Sequence, residues 1–183
     1  MGLKMKHLII LLALTLLLLS CSQEERQGTV QPEGLPDQIL ENSVVVFTVN
    51  GIKSTVVKAK YIEKYLTQDL TKAKGLYVDF YDKEGNHTSV LVADSGDIRE
   101  KKQVLEVKGE VVVTTDKGVK LETKSLRWDP NISKIITDDL VKITRGQDVV
   151  TGQGMESDQE LTQIKIKKNV SGEIENITRE ELP

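Results

Sequence analysis

The chain has 183 residues, with 25 Lys and Arg against 28 Asp and Glu, a formal charge of −3. That balance lacks the basic excess that holds a phosphate backbone, which argues against a nucleic-acid binder. One Cys and two His build neither a disulfide framework nor a Cys/His zinc site, and no cofactor is called for, although a metal held by carboxylates alone stays open.

At the N-terminus, Lys4 and Lys6 precede twelve uncharged, nearly all apolar residues at 8–19. As a helix that run would span roughly 18 Å, against a hydrocarbon core of about 30 Å, which is the size of a signal-peptide core rather than a membrane span. Leu18-Leu19-Ser20-Cys21 follows and resembles a bacterial lipoprotein signal, with the chain's single Cys where acylation needs it. Residues 1–20 are therefore read as a signal peptide and Cys21 as the lipid anchor. An ordinary signal peptide and a short uncleaved anchor are the alternatives. Residues 21–41, polar and broken by Gly28, Pro32, Gly34 and Pro36, read as a flexible linker. Residues 42–183 remain for one folded domain.

From there the sequence predicts strands. The β-branched run Val44-Val45-Val46-Phe47-Thr48-Val49 meets Asn50-Gly51, a hairpin turn, and residues 54–59 return. Residues 61–74 read as strand plus loop. Residues 75–81 alternate around Leu76, Val78 and Phe80, and residues 82–86 turn the chain into 88–93. Further strands are expected at 101–107, 109–115, 119–123, 126–128, 134–137, 141–144, 147–151, 161–168 and 172–177. About a dozen short strands with turn residues between them are the signature of an all-β antiparallel sandwich or roll. Every second residue then faces inward, and most of these are Val, Ile or Leu. Such side chains suit a closed core or an apolar slot, and periodicity does not separate the two.

Motifs for catalysis are missing. There is no G-x-S-x-G, H-E-x-x-H, P-loop or G-x-G-x-x-G opening a helix. His87 stands in a turn with no sequence partner that would poise it as a base. Asp94 and Asp97, and Asp138 with Asp139, lie in turn-like sequence where Asp caps its own backbone. The chain is read as a non-enzyme; catalysis by those four carboxylates is the rival reading.

Read in order, residues 76–174 resemble the lipopolysaccharide export protein LptC family and the wider OstA-like domain shared with LptA and LptD. The resemblance rests on Val78-Asp79-Phe80-Tyr81-Asp82, Leu91-Val92-Ala93-Asp94-Ser95-Gly96 and Val107-Lys108-Gly109-Glu110-Val111-Val112-Val113. It continues through Thr115-Asp116-Lys117-Gly118-Val119-Lys120-Leu121-Glu122-Thr123, Leu126-Arg127-Trp128-Asp129 and Ile136-Thr137-Asp138-Asp139-Leu140-Val141. Thr151-Gly152-Gln153-Gly154-Met155-Glu156 and Asn169-Val170-Ser171-Gly172 complete it.

The resemblance implies an antiparallel β-jellyroll open along a slot that takes the acyl chains of lipopolysaccharide. It further implies receipt of that lipid from the inner-membrane ABC transporter LptBFG, and transfer to LptA through pairing of sheet edges. Alternation and resemblance together nominate Val44, Val46, Leu76, Val78, Phe80, Val90, Val92, Val111, Val113, Leu121, Ile136, Val141, Ile143, Ile164 and Ile166 as inward residues lining that slot. Gly109, Gly152, Gly154 and Gly172 match the family's glycines and are read as backbone devices. The better-known members are held by an uncleaved N-terminal helix, whereas this chain has the Cys21 signal. Ser22 after Cys21 points to the outer membrane under the enterobacterial sorting rule, while the family's task points to the periplasmic face of the inner membrane, the location expected here. The alternative function is a β-rich envelope lipoprotein that scaffolds partners without moving lipid.

Overall fold

The computed structural model describes residues 34–102 and 104–173. Cys21, the signal segment and most of the linker lie outside them. The described residues form nine antiparallel strands: β1 (Gln38–Val49), β2 (Ile52–Tyr65), β3 (Leu70–Tyr81), β4 (His87–Arg99), β5 (Val104–Thr115), β6 (Val119–Asp129), β7 (Lys134–Arg145), β8 (Asp148–Ser157) and β9 (Ile164–Glu173). They make one sheet in chain order, each strand bonded only to its sequence neighbours, so β1 and β9 are its edges. No helix occurs among the described residues.

The all-β antiparallel expectation holds, but the strands are fewer and longer. Residues 104–107 and 109–115 belong to one strand, β5. Likewise 119–123 joins 126–128 in β6, and 134–137 joins 141–144 in β7. The cause is a bulge in the middle of each strand. Pairing slips between Val92 and Ser95, Lys108 and Val111, Thr123 and Arg127, Thr137 and Leu140, and Thr151 and Gln153. Each bulge resets the inward–outward phase, and in sequence that reads as a strand break. At the N-terminal end, β1 starts at Gln38, so residues 38–41 of the expected linker are strand. Gln38 pairs with Lys64, and the Asp37 carboxylate accepts the Leu66 N–H at 2.7 Å.

The turns follow the residues that predict them. Asn50 (φ 51°) and Gly51 (φ 80°) form the two-residue connection closing the Val49–Ile52 pair. At the next hairpin the Asp82 carboxylate accepts the Glu84 N–H at 3.0 Å and the Asn86 N–H at 2.8 Å.

The bulges align across the strands and crease the sheet. Gly109, at φ +102°, is the clearest hinge: a Cβ there would collide with the Asp94 carboxylate, which accepts the Glu110 N–H at 3.1 Å. Gly154 is also left-handed, at φ +70°. Gly152 has ordinary backbone geometry, but a Cβ would run into the Ile166 side chain, whereas Gly172 has room for one. On either side of the crease the inner faces carry a continuous core that includes Leu121 and Met155, both at 0 % exposure. A lone sheet leaves each face in water, so burial this complete requires the two halves to cover each other.

Candidate functional site

Strand register assembles the interior. One inner row runs straight across eight strands: Val45, Val57, Val78, Leu91, Val113, Leu121, Ile143 and Val150. Beyond the crease a second row joins Leu40, Ile62, Ala73, Gly96, Val107 and Leu126. A third joins Ile98, Leu105, Trp128, Ile135, Ser157 and Ile164.

Between the halves lies a cavity of about 380 Å³. Phe80, Leu91 and Val113 line it from one side of the crease; Leu105, Val107, Leu126, Trp128 and Ile135 line it from the other. That volume falls within the roughly 300–1,000 Å³ of small-molecule sites. Polar groups line it as well: Ser54, Asp82, Gln159 and Glu160, together with Thr88 and the buried Ser89. A mostly apolar lining binds chiefly by excluding water from hydrocarbon.

The loop between β8 and β9 closes around one fully buried side chain. Leu161 is 1 % exposed and left-handed at φ 54°. Asp158 holds the loop by accepting the N–H groups of Thr162 at 2.7 Å and Gln163 at 3.2 Å, the Ser157 hydroxyl at 3.2 Å and the Thr162 hydroxyl. Burial pushes the Asp158 carboxyl up, but these hydrogen bonds outweigh it and hold the group below the usual range. The Asp82 carboxyl at the rim is also held low, chiefly by the Asn86 side chain and then by backbone N–H groups.

Of the residues expected to face inward, Leu76, Val78, Val111, Val113, Leu121, Val141 and Ile143 are buried in the core, and Phe80, Ile164 and Ile166 pack against it. Only Phe80 and Val113 among them border the cavity. Val44, Val46, Val90, Val92 and Ile136 instead face outward. Their neighbours Val45, Leu91 and Ile135 carry the inner rows, and Ile136 sits between Arg127 and Glu156. The physical reason is the same in β1 and β4: Val44-Val45-Val46 and Val90-Leu91-Val92 are apolar at every position, so alternation cannot set their phase. Sequence reasoning missed Leu91, Leu105, Val107, Leu126, Trp128 and Ile135 as lining residues. Trp128 carried a signal, being the chain's only Trp.

The polar candidates are dispersed into separate contacts. Asp94 caps Glu110. Asp138 accepts from Lys167 Nζ at 2.9 Å, which holds its carboxyl low, and Asp139 accepts the Ser125 hydroxyl at 2.6 Å. Asp97 pairs across the sheet with Lys72 and Glu106. His87 gains in space the partners it lacks in sequence, with Asp116 at 2.9 Å from Nδ1 and Asp79 at 3.5 Å from Nε2. Among the described residues no three His, Cys, Asp or Glu side chains group to hold a metal ion, and no helix is long and apolar enough to cross a membrane.

An open antiparallel sheet creased over an apolar cleft defines a β-jellyroll of the LptA-like kind. The fold matches the crystal structure of LptH, the LptA homologous periplasmic component of the lipopolysaccharide transport device from Pseudomonas aeruginosa. The TM-score is 0.53 at 11% identity, covering 67% of this chain and 95% of that one. No curated protein sequence matches the chain. The family model for LptC-related lipopolysaccharide assembly matches residues 8–175, and the chain belongs to that family. Its role accordingly lies in lipopolysaccharide transport, within a family of transport rather than catalytic proteins.

Proposed function

We propose that the protein is a membrane-anchored, periplasmic lipopolysaccharide carrier, held at Cys21 on the inner membrane, that takes the lipid from an LptBFG-type ABC transporter and passes it to an LptA-like bridge protein. The observation carrying this is the cavity of about 380 Å³ between the two halves of the creased sheet, lined mostly by apolar side chains. Acyl chains are shielded inside while the glycan stays in water. The unpaired outer sides of β1 and β9 suit strand addition by neighbouring rolls, which would align successive slots. No nucleotide site is recognisable in the sequence, so the energy for transfer comes from the transporter.

Photo-crosslinking in the living cell tests the reading. A p-benzoylphenylalanine at Phe80, Leu105 or Trp128 should capture lipopolysaccharide, and the adduct should vanish when the transporter's ATPase is disabled. Three empty positions in a folded, complementing protein would leave a scaffold with a closed core. The anchor is tested separately, by labelling with a radioactive fatty acid that Cys21→Ser should abolish.

A further inference from the structure

Ser89 stands apart from the other polar residues that line the cavity. It is 3 % exposed, whereas the rest are half-buried or exposed. The hydroxyls of Ser54 and Thr88 donate to the carbonyls of Phe47 and Phe80, each at 3.2 Å, and the Asp82 carboxylate accepts N–H groups of its own turn. Ser89 lies in register between Phe80 and Thr115, and both are engaged elsewhere. The Phe80 carbonyl receives Thr88, and Thr115 Oγ1 accepts the Val119 N–H at 3.1 Å. The Ser89 hydroxyl has no hydrogen-bond partner among the described residues. An unpaired hydroxyl on an apolar wall is costly, and Ala would pack there without that cost.

Its depth is informative. Leu91 is two residues nearer the crease, about 7 Å along the strand. With Val113 on its own half, and Val107 and Leu126 on the other, it makes the inner end of the cavity apolar on both sides. Ser89 belongs to the next row out. A chain entering tail first therefore meets hydrocarbon walls at its end and a hydroxyl nearer its head.

We infer that the cavity selects an acyl chain carrying a hydroxyl close to its carboxyl end, recognised by Ser89. The inference rests on the acyl-chain reading proposed above and names the chemistry of the chain. A plain chain that fills the cavity displaces water from Ser89 and leaves the hydroxyl unpaired; a hydroxylated chain restores the bond, since each hydroxyl both donates and accepts.

The test uses the full chain in phosphatidylcholine vesicles, titrated with methyl myristate or methyl β-hydroxymyristate. Trp128, the chain's only Trp, lines the cavity and reports its occupancy by fluorescence. The hydroxylated ester should bind roughly three- to tenfold tighter relative to the plain one than it does in Ser89→Ala, the worth of one hydrogen bond. Partition into the vesicle is common to both proteins and cancels in that ratio. Ser89→Cys, which keeps the shape with a weaker donor, should also lose the preference, while Thr88→Val, whose hydroxyl is already engaged, should keep it. The same ratio in wild type and both Ser89 variants would overturn the inference and leave the acyl reading standing. Equal weakening of both esters in Ser89→Ala would assign the serine to the ester carbonyl and overturn it too. No response of Trp128 to either ester would overturn the acyl reading together with the inference.

Discussion

The outer faces of the two ends of the sheet share their register and differ in chemistry. From β1 to β4 the row through Val92 reads Val44, Lys58, Tyr77, Val92; from β6 to β8 its continuation reads Glu122, Lys142, Thr151. Both stretches sit over the same inner row of Val, Leu and Ile, so the core makes equal demands on them. At the C-terminal end this row is charged or polar, with Glu122 held low in pKa, first by its hydrogen bond from Lys120, although Leu140 beside it on β7 is also exposed. At the N-terminal end it carries the exposed Val44 and Val92. Inner apolar residues therefore report on folding, whereas the outer ones are not demanded by the core.

The sharpest separation of the two should come from neighbours in β6. Leu121→Ala empties a fully buried site and should destabilise by about 2–5 kcal/mol, read as a shift of the urea midpoint at constant slope. Glu122→Ala on the opposite face should stay within about 0.5 kcal/mol. Equal losses would abolish the distinction between faces. The crease is tested next. Gly109→Ala forces a side chain into a left-handed position and against Asp94, and should cost about 1–3 kcal/mol in the same assay.

Asp158→Ala should cost a similar or smaller amount, about 1–3 kcal/mol, by releasing the N–H groups of Thr162 and Gln163 from the loop that buries Leu161. Because the folded-state pKa of Asp158 is depressed, its contribution is present above the ordinary carboxylate value and lost as the pH falls from about 4 through the folded value. The stability difference between wild type and variant should therefore be full at pH 6 and shrink progressively as the pH is lowered below about 4. Smallest of all, Thr123→Val should be neutral or slightly stabilising, since the buried Thr123 hydroxyl has no hydrogen-bond partner.

The same contrast explains how much could be read from the chain. In β3, Leu76, Val78 and Phe80 alternate with polar or half-wet residues, and in β5 Val111 and Val113 gain their phase from Gly109; all five fall on the inner side as expected. In β1 and β4 both faces are apolar, and a phase guess there turns the whole strand over. The hairpins were legible because Asn50-Gly51 and Asp82 determine their turns chemically. The cavity was not legible, because Leu105, Trp128 and Ile135 meet Phe80 and Leu91 only once the aligned bulges fold the sheet over. No local pattern encodes that long-range meeting.

The strictly sequential pairing of the nine strands has a consequence for assembly in time. No strand waits for a distant partner, so the sheet can grow by one hairpin at a time as the chain arrives, with little loop-closure entropy at each step. Its cooperativity then resembles that of a linear array, in which each unit is stabilised chiefly by those beside it. Such an array has no closing bond to break before another strand joins at either end. Under tension it would be expected to peel from an edge, strand by strand, rather than rupture as a whole.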